Sequence, residues 1–169
     1  YCSDSATNID KYVIYNYLEN IWYFGTLART AWLDSGLRDS PLAATYSYNL
    51  VDHEDGVDDN QGSSAAAITA YAVSSEFDLD DGHKYMFVSR VIPDVSFDGS
   101  TANNPVVTLT LSPLANPGAG YNSPVEVFTE QLDIRVRGRQ LSMRIESDAT
   151  GVTWQLGSPR LDMRPDGRR

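Results

Sequence analysis

The sequence predicts an all-β protein whose main body is an antiparallel β-sandwich of jelly-roll-like type. Three observations carry this. From Ala66 onward, at least six segments alternate apolar and polar residues with the period of two that a half-buried strand requires. Clusters of Gly, Pro, Asn and Asp separate these segments at short intervals. No stretch reads as a convincing long helix. The length of 169 residues fits one domain, or a small piece plus one domain, and 41% hydrophobic content is enough for a core and too much for disorder.

In order along the chain, Cys2 to Asp10 is a polar approach. Tyr12 to Tyr17 (YVIYNY) is a strand of β-branched and aromatic residues, Leu18-Glu19-Asn20 turns it, and Ile21 to Phe24 (IWYF) returns. This predicts a hairpin with large aromatics on both faces. Thr30 to Leu33 is a short strand ended by Asp34-Ser35-Gly36, and Ala43 to Asp52 contains another, YSYNLV. Asp52 to Ser64 (DHEDGVDDNQGSS) is polar, acidic and glycine-containing, which makes it the best candidate boundary in the chain. The expected division is residues 1–60 as a strand-rich front piece with its linker and 61–169 as the sandwich.

Ala66 to Glu76 alternates. A short alanine-rich helix is the other reading, but Ile68, Tyr71 and Val73 favour a strand. Asp80-Asp81-Gly82 has the hairpin-turn signature. Tyr85 to Val91 is a strand expected to reach Val95, and Ser96 to Pro105 is a loop. Val106 to Leu111 (VVTLTL) is the cleanest alternation. Pro113 to Pro124 reads as a long loop, and Val125 to Phe128 starts the next strand. Leu132 to Val136, Gln140 to Glu146 and Thr153 to Arg164 complete the set.

Charge is unevenly placed. Ile134 to Arg169 holds eight of the 13 Lys and Arg, all of them Arg, against four acids; the rest of the chain holds 19 of the 23 acids. An acidic body therefore carries an arginine-rich end. Arg keeps its charge when buried and pairs through a planar fork, which suits interfaces. Such an end fits nucleic acid or an acidic copy of the same chain. The net charge of −10 argues against DNA binding over the whole surface. Alternation puts Leu132, Ile134 and Val136 on one face and Asp133, Arg135 and Arg137 on the other. It likewise separates Leu141, Met143 and Ile145 from Ser142, Arg144 and Glu146. With Gly138 as a tight turn, the arginines are expected on the outward face of two neighbouring strands. There they pair with acids of the same chain or form a subunit interface made of Arg135, Arg137, Arg139, Arg144, Arg164, Arg168 and Arg169.

Chemistry is sparse. The acidic run Asp52, Glu54, Asp55, Asp58, Asp59, with His53, offers oxygen ligands of the kind Ca²⁺ takes, but not in the order of a calcium loop. A solvated acidic loop is the plainer reading. His83 follows a hairpin turn and is expected to be exposed. No Ser lies in G-x-S-x-G, and Cys2 has no second Cys for a disulfide or zinc site. Glu126 and Glu130 lie on or near a strand, yet nothing distinguishes them from other acid pairs as glycosidase carboxylates. No catalytic residue, cofactor or metal is expected. Tyr12, Tyr15, Tyr17, Trp22, Tyr23, Phe24 and Trp32 fit either a sugar platform or packing between blades or sheets, and packing is preferred. Trp154 is read as core. No segment approaches the roughly 20 apolar residues of a membrane helix, and no signal sequence opens the chain. Starting at Tyr1 in a strand-like register, the chain is expected to be a piece of a longer protein.

Gly138-Arg139-Gln140, Arg144-Ile145-Glu146, Trp154-Gln155-Leu156-Gly157 and the terminal Arg164 to Arg169 stand in an order that resembles the C-terminus of a group of bacteriophage virion proteins. These are the β-propeller-containing tail proteins of short-tailed phages, of the tail nozzle or tail tubular type. Tyr15 to Gly36 resembles the last propeller blade and exit of that family. A Tyr-x-His-Glu-x-Gly pattern should follow; the chain has Val51-Asp52-His53-Glu54-Asp55-Gly56, so the aromatic is displaced and the match is partial. The resemblance implies that residues 1–60 are terminal strands of a propeller-like blade. It implies a non-enzymatic structural role in the virion, in a ring of copies, six-fold in the family, around the channel through which DNA leaves. Other tail proteins would be partners, and DNA would pass without specific binding. An acidic lining suits this, since carboxylates repel phosphate. A carbohydrate- or receptor-binding module of a virion is the alternative, and a glycan-degrading domain the weaker third.

Overall fold

A computed structural model describes every residue except 1, 3, 5, 81–82, 115–120, 127–128 and 168–169. The described residues contain strands and no helix. The chain divides into two compact units, Tyr1–Gly56 and Val57–Arg169, so the division falls inside the acidic run.

In the first unit, β1 (Lys11–Asn16) and β2 (Ile21–Thr26) form an antiparallel ribbon in which Tyr15 faces Trp22 and Val13 faces Phe24. Asn16 builds the turn: its Oδ1 accepts the backbone N–H groups of Leu18 and Glu19 at 3.1 and 3.3 Å. Asn20 takes the left-handed conformation, φ 58°, which Asn tolerates better than most residues. At Gly25 a Cβ would lie 2.6 Å from the Tyr12 hydroxyl oxygen, so the missing side chain lets that ring lie across the ribbon.

β3 (Ala31–Leu33), β4 (Leu42–Ala44) and β5 (Leu50–Asp52) form a three-stranded meander around the buried Ala43. This corrects the single strand expected at YSYNLV. Most of that segment is a tight turn. The Thr45 N–H donates to Asn49 O at 2.9 Å, the Thr45 and Ser47 hydroxyls lie 2.9 Å apart, and Tyr48 has φ 64°. Short polar side chains that bond to the local backbone won over the alternation.

The second unit contains β6 (Ala70–Val73), β7 (Phe77–Asp78), β8 (Met86–Ile92), β9 (Val95–Ser96), β10 (Val106–Leu114), β11 (Tyr121–Glu126), β12 (Leu132–Gly138), β13 (Gln140–Ser147), β14 (Gln155–Leu156) and β15 (Arg160–Pro165). One sheet has the order β11-β10-β13-β6, with β7 also paired to β13; a second has the order β12-β8-β15; β14 and β9 form a small pair. All observed pairings are antiparallel. Met86, Val88, Val91, Ile134 and Val136 from the second sheet meet Val107, Leu109, Leu111, Leu141 and Ile145 from the first in one buried cluster. The unit is therefore an all-β, sandwich-like fold whose core is the inward half of each alternating strand.

Four expectations need correction here. The loop expected from Pro113 to Pro124 is partly strand. Residues 115–120 lie outside the described residues, but β10 runs through Pro113 and β11 includes Pro124. Among the described residues β11 pairs with β10 from Val106 to Leu111, Pro113 pairs with Leu141 of β13, and Pro124 sits on the edge strand. An edge strand such as β11 tolerates proline where the missing N–H faces away from the ladder. The strand expected to run to Val95 breaks at Pro93-Asp94, where Asp94 has φ 51° and its carboxylate accepts the Ser158 N–H at 2.6 Å. The strand expected from Thr153 to Arg164 is split into β14 and β15 at Gly157-Ser158-Pro159, where a Cβ on residue 157 would run into the Asp94 carboxylate.

The fourth correction bears on function. β12 and β13, expected to be neighbours, belong to different sheets. Gly138 passes the chain from one to the other, where a Cβ would come 3.0 Å from Pro113 Cβ. The expected hairpin turn at Asp80-Asp81-Gly82 involves residues 81–82, outside the described set.

Candidate functional site

Two separate arginine faces follow from that crossover. Ile134 and Val136 of β12, and Leu141 and Ile145 of β13, all enter the shared core. The side chains alternating with them therefore point away on opposite sides of the sandwich. Arg135 and Arg137 lie on the outer face of the β12-β8-β15 sheet, and Arg144 on the outer face of the other.

On the β12-β8-β15 face, registers place Arg137, Phe87 and Arg164 in one cross-strand row and Asp133, Arg90 and Asp162 in the next. The Arg137 guanidinium lies 4.4 Å from the Tyr85 ring centroid and Arg139 lies 4.8 Å from the same ring, while Arg164 lies 4.9 Å from Phe87. Tyr85 is buried and held by the backbone: its N–H donates to Gly167 O at 2.9 Å, and its carbonyl accepts the Asp166 N–H at 2.7 Å. Arg137 Nε pairs with Asp166 at 2.6 Å, and Arg90 Nε donates to Asp162 at 2.8 Å. Arg135 is exposed and makes no ion pair or ring contact among the described residues. Cation–π contact of this kind adds to the surface ion pairs, which by themselves contribute about 0–1 kcal/mol each.

On the opposite face, Arg144 pairs with Glu146 two residues along the strand at 2.7 Å and lies 4.3 Å from the Tyr71 ring. Arg168 and Arg169 lie outside the described residues. Sequence reasoning singled out these arginines but missed the aromatic rings beneath them. The signal was present at Phe87, which alternates with the inward Met86 and Val88 in YMFVSRV.

The remaining candidates take structural positions. Asp52 pairs with Arg38 at 2.7 Å, and Asp58 accepts the Gly151 N–H at 2.7 Å. Glu54 and Asp55 are exposed, and no group of three or more metal-binding side chains occurs among the described residues. His53 Nε2 accepts from Arg29 Nε at 2.9 Å, and its ring lies 4.7 Å from Trp32. His83, Cys2, Glu126 and Glu130 are exposed. Trp154 packs against the core, and its Nε1–H donates to Ser147 Oγ at 3.0 Å.

The aromatic ribbon, expected to pack between blades or sheets, is bare within this chain: Tyr17, Trp22 and Phe24 are 78%, 64% and 74% exposed, and Tyr12, Tyr15, Tyr23 and Trp32 are exposed as well. Tyr15 and Trp22 stack on each other at 4.5 Å. The ribbon is apolar on both faces: Tyr12, Ile14, Ile21 and Tyr23 on one, Val13, Tyr15, Trp22 and Phe24 on the other.

No family model matches the chain, and no curated protein matches it.

Proposed function

We propose that the chain is a non-enzymatic structural component of a bacteriophage tail, of nozzle or tubular type, built into a ring of copies around the DNA exit channel. The observation that carries this reading is the β1–β2 ribbon, apolar and exposed on both faces. Two strands alone are marginal in water, and aromatic side chains bare on both sides call for protein layers on each. A terminal propeller blade enclosed by its neighbours meets that need. The terminal motifs from Gly138 to Arg169 support the same reading through their resemblance to virion tail proteins. The net charge of −10 supports DNA passing without being held.

Imaging of the full-length protein, or of assembled particles, tests the proposal. A closed ring with this chain in it is expected. A protein that stays monomeric at every concentration and binds a glycan sinks it. The exposed Tyr15–Trp22 stack favours a second reading, a carbohydrate-binding module of a virion. Loss of glycan-array binding on Trp22→Ala is its expected signature.

A further inference from the structure

The order β11-β10-β13-β6 leaves β6 at the end of its sheet, with its outer edge open. The Ser74 N–H donates to Met143 O at 2.8 Å. By alternation Ala70 and Ala72 also turn their backbone groups to β13, while Tyr71 and Val73 turn theirs to the open edge. Natural sheets guard such edges with charge or proline. The other ends of the unit's two larger sheets are guarded in this way: Pro124 and Glu126 on β11, Asp133, Arg135 and Arg137 on β12, and Arg160, Asp162, Arg164 and Pro165 on β15. Around β6, residues 64–75 (SAAAITAYAVSS) contain no charge, proline or glycine. Ile68, Tyr71 and Val73 are each more than half exposed. An uncharged, bare edge of this kind is a template for another strand.

We infer that β6 pairs with β6 of a second copy of the chain, antiparallel across a two-fold axis. The open backbone groups of Tyr71 and Val73 fix the register. Tyr71 of each copy faces the partner's Val73 as a hydrogen-bonded pair, and the two Ala72 residues meet on the axis as a non-hydrogen-bonded pair. Opposed Cα atoms in such a pair come to about 4.5 Å, which suits a side chain as small as alanine. Tyr71 against Val73 joins an aromatic to a β-branched side chain, a favourable cross-strand pair. The outer row then runs Glu146, Tyr71, the partner's Val73 and the partner's Arg144, with apolar residues at its centre and charges at its ends. The segment fits itself because it is neutral. β12 laid against itself about its central residue would instead set Arg135 against Arg135. The net charge of −10 opposes any association of copies, but physiological salt screens exposed charges beyond about 8 Å, and Glu146, the acid in the row beside Tyr71, is paired with Arg144 at 2.7 Å. The inference does not rest on the ring reading. A two-fold contact closes at two copies, whereas a ring closes through head-to-tail contacts. The ribbon that carries the ring reading and β6 lie in different units.

Sedimentation equilibrium of the 169-residue chain at physiological salt tests it, with circular dichroism as the check on folding. A monomer–dimer equilibrium with no larger species is expected. Val73→Pro removes an N–H that faces the open edge and none that bonds to β13. It is expected to keep the fold and to weaken dimerisation at least about tenfold, because each dimer loses that bond twice. Should proline disturb the strand, Val73→Lys guards the edge with charge and is expected to act in the same direction. Crosslinking reads the register. In a Cys2→Ser background, Ala72→Cys is expected to give a disulfide-linked dimer on mild oxidation, and Ala70→Cys is not. A chain that stays monomeric, an association that runs past the dimer, a dimer indifferent to both Val73 variants, or no disulfide at position 72 overturns the inference. None of these results decides the ring reading, which imaging of the full-length protein tests.

Discussion

Gly151 shows how one residue is fixed by its surroundings. It has φ 74°, and a Cβ there would lie 2.9 Å from the Ala102 backbone nitrogen. Its carbonyl accepts the N–H groups of Thr101 and Ala102 at 2.9 and 3.0 Å, and its own N–H reaches Asp58. Gly151→Ala combines a disfavoured backbone conformation with a backbone clash. It is expected to cost about 1–3 kcal/mol in urea denaturation, and an unchanged midpoint would contradict this account. The sequence shows Gly151 only as part of the gap between the segments Gln140 to Glu146 and Thr153 to Arg164. That a distant aspartate and the 101–102 backbone converge on Gly151 depends on contacts between remote segments. The acidic run illustrates the same limit, because Asp58 is a hydrogen-bond acceptor within its unit and not a member of a metal cluster.

Among the elements, the strands were most legible where alternation was clean. β10, β12 and β13 bury the residues their pattern selects, because a strand with one face in the core must expose every second side chain. Leu109 at the middle of β10 is fully buried, whereas Arg144 on β13 is part of an exposed face. Leu109→Ala is expected to cost about 2–5 kcal/mol, and Arg144→Ala about 1 kcal/mol or less. Chemical denaturation of both variants checks the contrast, and equal losses would mean that the faces are assigned wrongly. Strand partners were not legible. Gly138 reads as a hairpin turn in sequence, yet it carries the chain between sheets. Alternation fixes which side of a strand is buried and says nothing about which strand lies alongside. Proline was misleading for a related reason: Pro113 and Pro124 read as loop residues, yet both lie within strands, where pairing with remote segments decides the conformation.

The whole molecule is two units of different kinds. Among the described residues, Val57–Arg169 has a continuous core of eleven buried side chains drawn from both sheets. Tyr1–Gly56 exposes most of its large side chains. A fragment of residues 57–169 is expected to unfold cooperatively on heating. A fragment of residues 1–56 is expected to show no such transition, because its ribbon and short meander lack a shared apolar interior. Thermal melts followed by circular dichroism check both, and a cooperative transition in the smaller fragment would remove the need for outside cover. The boundary run was legible as acidic, polar and glycine-containing. The bareness of the aromatic ribbon was not, since aromatics in a strand look alike whether they are covered or exposed.

The sequence by itself determined that the protein is built of strands, which side chains of its cleanest strands face inward, and that an acidic body ends in arginine. These are properties of local spacing and composition, which the chain carries into any fold. Only the tertiary structure decided that the arginines occupy two opposite faces. It alone seated four of them on Tyr85, Phe87 and Tyr71, and left the front ribbon uncovered. Those outcomes depend on strand partnership between segments far apart in the chain, which alternation does not encode.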